Sequence, residues 1–250
     1  MLGNRRTRTA AAVVVLCALA APAAADVQTS FFGAAKDNTI YESEDGGLSN
    51  GAGEYLFAGT TNQGRIRRAL LQFDISAIPQ GAIITGATLV LHHSLGQPNT
   101  SAVSLHRALG GWGEGTSDAI GNEGTGIEAT PGDATWLHSS WNTEFWQTIG
   151  GDFDAMASAT TAIGPDFGFS SWSSAGLVAD LQAWLDGSAA NHGWFLRGEE
   201  GGFGSAKRFA TRENLDEALR PRLEVQWVIP APSAAGLLAA AVLHGRRRRR

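Results

Sequence analysis

An antiparallel, all-β sandwich, jelly-roll-like and with one short helix, is the fold the sequence predicts. Three observations predict it. Apolar residues alternate with period two in several short runs, clearest at Ala69–Ile75, Ile83–Leu91 and Leu223–Trp227, which is the signature of a strand with one buried face. Thirty-two glycines, many beside Asn, Asp or Pro, punctuate those runs at turn spacing. One stretch, Ala175 to Asp186, carries a helical stripe instead.

In chain order, Val27–Ala35 and Thr39–Glu42 are expected as early strands, with Lys36-Asp37-Asn38 as a turn between them. The acidic, glycine-rich segment from Asp45 to Gly53 is expected as a loop, and Tyr55–Gly59 as a short strand. The segment Arg65–His93 predicts two apolar strands joined by a turn at Ile78-Pro79-Gln80-Gly81, where proline second and glycine fourth suit type I. A turn at Gln97-Pro98-Asn99 leads into Ser101–Leu109. Pattern then disappears from Gly110 to Gly151, a stretch holding Trp112, Trp136, Trp141 and Trp146. A loop of that length in a compact domain is functional or folded down, and the tryptophans favour the latter. Strands follow at Phe153–Ile163 and Phe167–Trp172. The helix has Ser173 or Ser174 as cap, Leu177, Leu181, Trp184 and Leu185 as buried stripe, and Gly187 as stop. Strands at Trp194–Leu196, Lys207–Thr211 and Pro221–Trp227 close the domain.

Both ends have their own character. Residues 1–25 combine Arg5, Arg6 and Arg8, an apolar run from Ala10 to Ala21, and Ala23-Ala24-Ala25, the layout of a cleaved signal peptide. Residues 229–250 combine a proline motif (Pro230, Pro232), a small apolar segment and Arg246–Arg250. A basic end after an apolar segment favours the cytoplasmic side of a membrane. The domain between, 26–228, keeps eleven basic residues against twenty-four acidic ones, a net charge of −13 that the whole-chain value of −5 conceals. Such a body repels nucleic acid, and none is expected as partner. The lone Cys17 lies in the signal, so disulfides are excluded from the domain.

The tail is similar to a PEP-CTERM sorting signal, with Ala231 where that family usually has glutamate. The resemblance implies export machinery and an exosortase-type protease as partners, transient membrane contact through the tail, and release to the cell surface or extracellular matrix. The domain resembles the bacterial DNRLRE domain, a secreted, carbohydrate-binding-module-like sandwich. The ordered set that carries the resemblance is Asp37-Asn-Thr-Ile40, Arg68-Ala-Leu-Leu-Gln-Phe-Asp74, Ala87-Thr-Leu-Val-Leu91, Trp112-Gly-Glu114, Val178–Trp184, Asn191-His-Gly-Trp194, Thr211-Arg-Glu213 and Arg220-Pro-Arg-Leu-Glu-Val225. It implies a non-catalytic module; some relatives bind acidic glycans such as alginate through basic residues.

Catalytic motifs are lacking: no nucleophile elbow, zinc pattern or phosphate loop occurs. No cofactor is expected. A structural calcium is allowed, with Asp152–Asp154 and the Glu42–Asp45 cluster as the acidic groups to supply it, though neither matches the twelve-residue calcium loop. Two residue types suit an extracellular polysaccharide. Trp112 and Trp172 are the expected exposed platforms for a sugar face. Arg65, Arg67, Lys207 and Arg208 form a positive patch if their two segments are neighbours, with arginine suited to bidentate carboxylate binding; ordinary salt bridging with the abundant acids is the favoured alternative for these clusters. Arg68 and Arg212 are expected to be structural. The rival expectation is a structural envelope or matrix protein without a small ligand; a secreted polysaccharide-degrading enzyme is a distant third.

Overall fold

The computed structural model describes residues 26–230. The signal segment 1–25 and the tail from 231, including Pro232, lie outside the described residues; Pro230 is exposed just after the last strand. Fourteen strands are present: β1 Gln28–Tyr41, β2 Leu48–Ser49, β3 Tyr55–Thr60, β4 Ile66–Phe73, β5 Ile83–Gly96, β6 Ser101–Arg107, β7 Ile127–Glu128, β8 His138–Ser140, β9 Glu144–Phe145, β10 Ala159–Ile163, β11 Gly168–Trp172, β12 Trp194–Arg197, β13 Lys207–Ala210 and β14 Arg222–Val228. One α-helix, α1 Ala175–Leu185, lies among them. Every strand pairing is antiparallel, and the fold is the expected sandwich type.

One side of the sandwich runs β3–β13–β5–β14–β1, with β11 also on β5; the other runs β10–β6–β12–β4, with β1 and β3 both on β4. Strands β1 and β3 therefore belong to both sides. The pairings β4–β3–β13–β5–β14–β1–β4 close into a six-strand ring, which leaves no free edge there. Strand β1 accomplishes this by bending. Its first half pairs with β14, a bulge falls between Ala34 and Lys36, and its second half pairs with β4. The turn expected at Lys36-Asp37-Asn38 is thus a bulged, continuous strand. A bulge adds a residue and kinks the strand without reversing it, and Asp37 and Asn38 are fully buried.

The pair β4 and β5 does not form a hairpin. The two strands lie on opposite sides of the sandwich, so Ala69, Leu71 and Phe73 meet Leu89 and Leu91 across the main core. Their connection turns one residue later than expected: the Ala82 amide donates to Pro79 at 3.1 Å, and Gly81 takes φ +80° as the third turn residue. Glycine is suited there because a Cβ disfavours positive φ. The helix follows expectation. Ser174 Oγ accepts from the Leu177 amide, Leu177, Leu181, Trp184 and Leu185 are buried, and Gly187 stops it at φ +71°.

The segment Gly110–Gly151 folds down on the outside of β4 and β12. Trp112, Trp136 and Trp146 join Ile40, Leu70, Ala108, Ala134 and Phe195 in a second core. This layer explains why β4 is apolar on both faces: Leu71 faces the main core and Leu70 the second. Arg68 locks the layer in place. It makes a bidentate pair with Glu200 at 2.8 Å on both arms, donates to Gly150 O at 2.6 Å, and lies over the rings of Trp136 and Phe153. Of the strand expected over Phe153–Ile163, only Ala159–Ile163 is regular; Phe153 makes a single bridge to Ala108.

Candidate functional site

Strand β3 lies between β4 and β13, so the two basic segments are next-nearest strands. At their ends the chain forms a pocket of about 280 Å³, near the small limit of ligand sites. Its wall includes Arg67, Lys207 and Arg208, with Asn62, Gln63 and Gln97 as neutral polar groups. Arg65 is exposed on the β3–β4 hairpin beside it, where its amide donates to Thr61 Oγ1 at 3.1 Å. The expected convergence of Arg67, Lys207 and Arg208 is therefore present, with Arg65 at the margin.

Ion pairing divides the eleven basic residues of the domain, and Lys36 and Arg222, which lie outside this pocket, share the unpaired state of these four. Arg68, Arg107, Arg197, Arg212 and Arg220 each pair with a carboxylate. Among the described residues no carboxylate lies within ion-pair distance of Arg65, Arg67, Lys207 or Arg208. Arg67 donates to the backbone oxygens of Gly124 and Glu42 and lies 4.8 Å over the Tyr41 ring. Burial depresses its pKa, against the nearby Glu42 carboxylate. Arg208 is half-buried, bonded to Ser94 Oγ at 3.1 Å and stacked 3.8 Å from the Tyr55 centroid. Four cations without acid partners in so acidic a body are a local excess of positive potential.

Lys207 requires a correction. It is fully buried, and its ammonium donates to Gln97 O at 2.9 Å, Asn99 O at 2.7 Å and Asn99 Oδ1 at 3.1 Å. An ammonium has three protons, so its donor capacity is spent on the β5–β6 crossover. Burial lowers its pKa. It lends charge to the pocket wall but has no hand free for a ligand. The groups accessible to one are Arg208 and Arg65.

The tryptophan platforms are also corrected. Trp172 is fully buried, donates to Val103 O at 2.7 Å, and packs edge-on to Phe209. Trp112 is buried under Lys36, whose ammonium stands 4.0 Å over the ring, and its indole donates to His192 O at 2.8 Å. A strand alternation could not show that the layer over β4 would take Trp112 inside. The exposed aromatics are phenylalanines. Phe31 on β1 and Phe169 on β11 flank a concavity of about 790 Å³, larger than the basic pocket, with Val90, Arg220 and Arg222. Phe31 sits in the outward register of β1, opposite Glu224, and Arg222 lies 5.9 Å over its ring. Single exposed phenylalanines carry no sequence signal that marks them as ligand groups.

Among the acidic groups expected for calcium, all but Glu44 accept hydrogen bonds from the protein. Both Asp152 oxygens accept loop amides from Gln147 and Thr148, and Asp154 takes the Met156 amide and Arg107. Asp45 accepts from Ser43 and Gly47, and Glu42 from the Ile66 amide. Compared with protein-family models and with curated proteins, the chain finds no match.

Proposed function

We propose that this protein is a non-catalytic module, exported and displayed at the cell surface, that binds an acidic extracellular polysaccharide at the pocket bounded by β3, β4 and β13. The observation that carries the reading is the group of four cations, Arg65, Arg67, Lys207 and Arg208, with no carboxylate partner inside a domain of net charge −13. Evolved ion pairing accounts for the other buried and half-buried arginines; it does not account for these. A uronate carboxylate would take the Arg208 and Arg65 guanidinium edges, with Asn62, Gln63 and Gln97 available to hydroxyls. Export and display rest on the sequence of residues 1–25 and 229–250.

Affinity electrophoresis of the full chain in gels containing alginate, against gels containing neutral dextran, tests this. Retardation by alginate that fades with salt supports it. Arg65→Ala with Arg208→Ala should weaken retention about tenfold or more, since a charge-assisted bond contributes about 1.5–3 kcal/mol. A chain that migrates freely on every acidic glycan overturns the reading, and leaves a structural role in the envelope or matrix.

A further inference from the structure

On another part of the domain, three carboxylates from distant segments meet. Asp37 comes from the bulged β1, Glu114 from the folded-down layer, and Glu213 from the loop after β13. Each offers an oxygen within 4.8 Å of the other two. That is about twice a calcium–oxygen distance of ~2.4 Å, so one ion can touch all three.

The protein's own donors do not complete this cluster. Glu114 is served on both oxygens: Oε1 accepts from the Asp37 amide and Arg212 Nε at 2.8 Å, and Oε2 from Arg212 at 3.2 Å. Asp37 Oδ2 accepts the Arg212 amide at 2.9 Å. Asp37 Oδ1 accepts nothing, although the residue is fully buried. Glu213 Oε2 is likewise sealed from solvent and without a donor, while its Oε1 faces Arg212 Nε at 2.8 Å. Leaving a buried carboxylate oxygen unpaired is costly, and one guanidinium stands against three carboxylates. Two further cations lie nearby and are engaged elsewhere: Lys36 donates to Trp112 O and stands over the Trp112 ring, and Arg220 donates to Asn214 O and pairs with Glu217.

We propose that Asp37, Glu114 and Glu213 hold a calcium ion, with Asp37 Oδ1 and Glu213 Oε2 as ligand atoms. Oxygen-only, carboxylate-rich ligation selects a hard divalent cation. The ion ties the β1 bulge, the outer layer and the β13–β14 loop together. Its role is structural, and it is independent of the basic pocket.

The test uses the full chain in two states, with about 10 mM calcium and with EDTA. Calcium at a hundredfold excess over its dissociation constant should raise the Tm by roughly 5–10 °C. Terbium should bind at one ion per chain, emit by energy transfer from tryptophan, of which Trp112 lies two residues from Glu114, and be displaced by calcium. Asp37→Asn should lose the terbium signal and the Tm response. Glu213→Gln changes a less buried group and keeps the test decisive if Asp37→Asn fails to fold. An unchanged Tm and no terbium emission overturn the proposal. So does a wild type unresponsive to calcium whose Asp37→Asn variant is more stable in EDTA, because a shared proton then completes the cluster.

Discussion

Replacing Lys207 with methionine separates support from recognition at the basic pocket. Methionine retains most of the apolar stem and removes the ammonium. Three acceptors, Gln97 O, Asn99 O and Asn99 Oδ1, then lose their donor. Bonds from a charged donor contribute about 1.5–3 kcal/mol each, which gives an upper figure of roughly 5–9 kcal/mol for the three. Two effects reduce it. Gln97 and Asn99 are exposed residues whose oxygens can recover water, and the desolvation cost of a buried ammonium disappears. The expected destabilisation is about 1–3 kcal/mol, or a Tm lower by roughly 2–10 °C. Urea unfolding followed by tryptophan fluorescence measures it. The pH dependence has a definite sign. Burial holds the Lys207 pKa below its usual value, so the unfolded chain binds that proton more tightly. Wild-type stability should therefore rise relative to Lys207→Met as pH increases through the window ending near ~10.4. Glycan retention should change less than about twofold, because the ammonium meets no ligand. A Lys207→Met protein as stable as wild type but unable to bind glycan would refute the structural assignment.

Arg68→Ala should cost about 2–3 kcal/mol in urea unfolding, since it removes the Gly150 bond and one of the two arginine partners of the half-buried Glu200, leaving Arg197 paired with that carboxylate. Burial raises the Glu200 pKa, but bonds and charges from Arg68 and Arg197 outweigh it and leave the carboxyl below its usual value. Its contribution is present above the unfolded value of ~4.3 and is lost as pH falls through the folded one, so Glu200→Gln should flatten the acid limb of a Tm-against-pH curve. Gly59→Ala should cost about 2–4 kcal/mol by thermal melting: the site has φ +115° and its Cβ would stand 2.9 Å from the Ala206 backbone. Phe31→Ala with Phe169→Ala should leave the melting temperature within about 2 °C, as both rings are exposed. Loss of glycan retention in that double variant would move the binding surface to the outer sheet face.

Periodicity exposed the elements it is suited to expose. The stripe Leu177, Leu181, Trp184, Leu185 and the alternation Leu223, Val225 both emerge as buried faces. Strand partnership was not legible. Alternation marks the faces of β4 and β5 but is silent on whether they pair side by side or face each other, and they face each other. Nor does composition distinguish a turn from a bulge: Lys36-Asp37-Asn38 has turn residues, yet a bond from Ser49 Oγ to Asn38 and bonds donated by Asp37 and Asn38 to Glu114 hold it extended. Charge clustering located the pocket, because two basic runs in an acidic chain stand out against their background. Which of those cations is spent internally depends on carbonyl positions, as at Gln97 and Asn99, and backbone carbonyls leave no trace in a sequence. The same holds for Trp112, whose burial depends on the path of the layer that carries it.

The proposal for the β3–β4–β13 pocket turns on recognition of acidic glycan by Arg65 and Arg208, its accessible unpaired cations. Titrating the full chain with alginate oligosaccharide by calorimetry, alongside Arg65→Ala/Arg208→Ala, tests it most directly. Binding should be saturable, weaken with salt as accessible charge pairs do, and fall about tenfold or more in the double variant while its Tm stays near wild type. Equal binding by wild type and variant, or none by either, would contradict it.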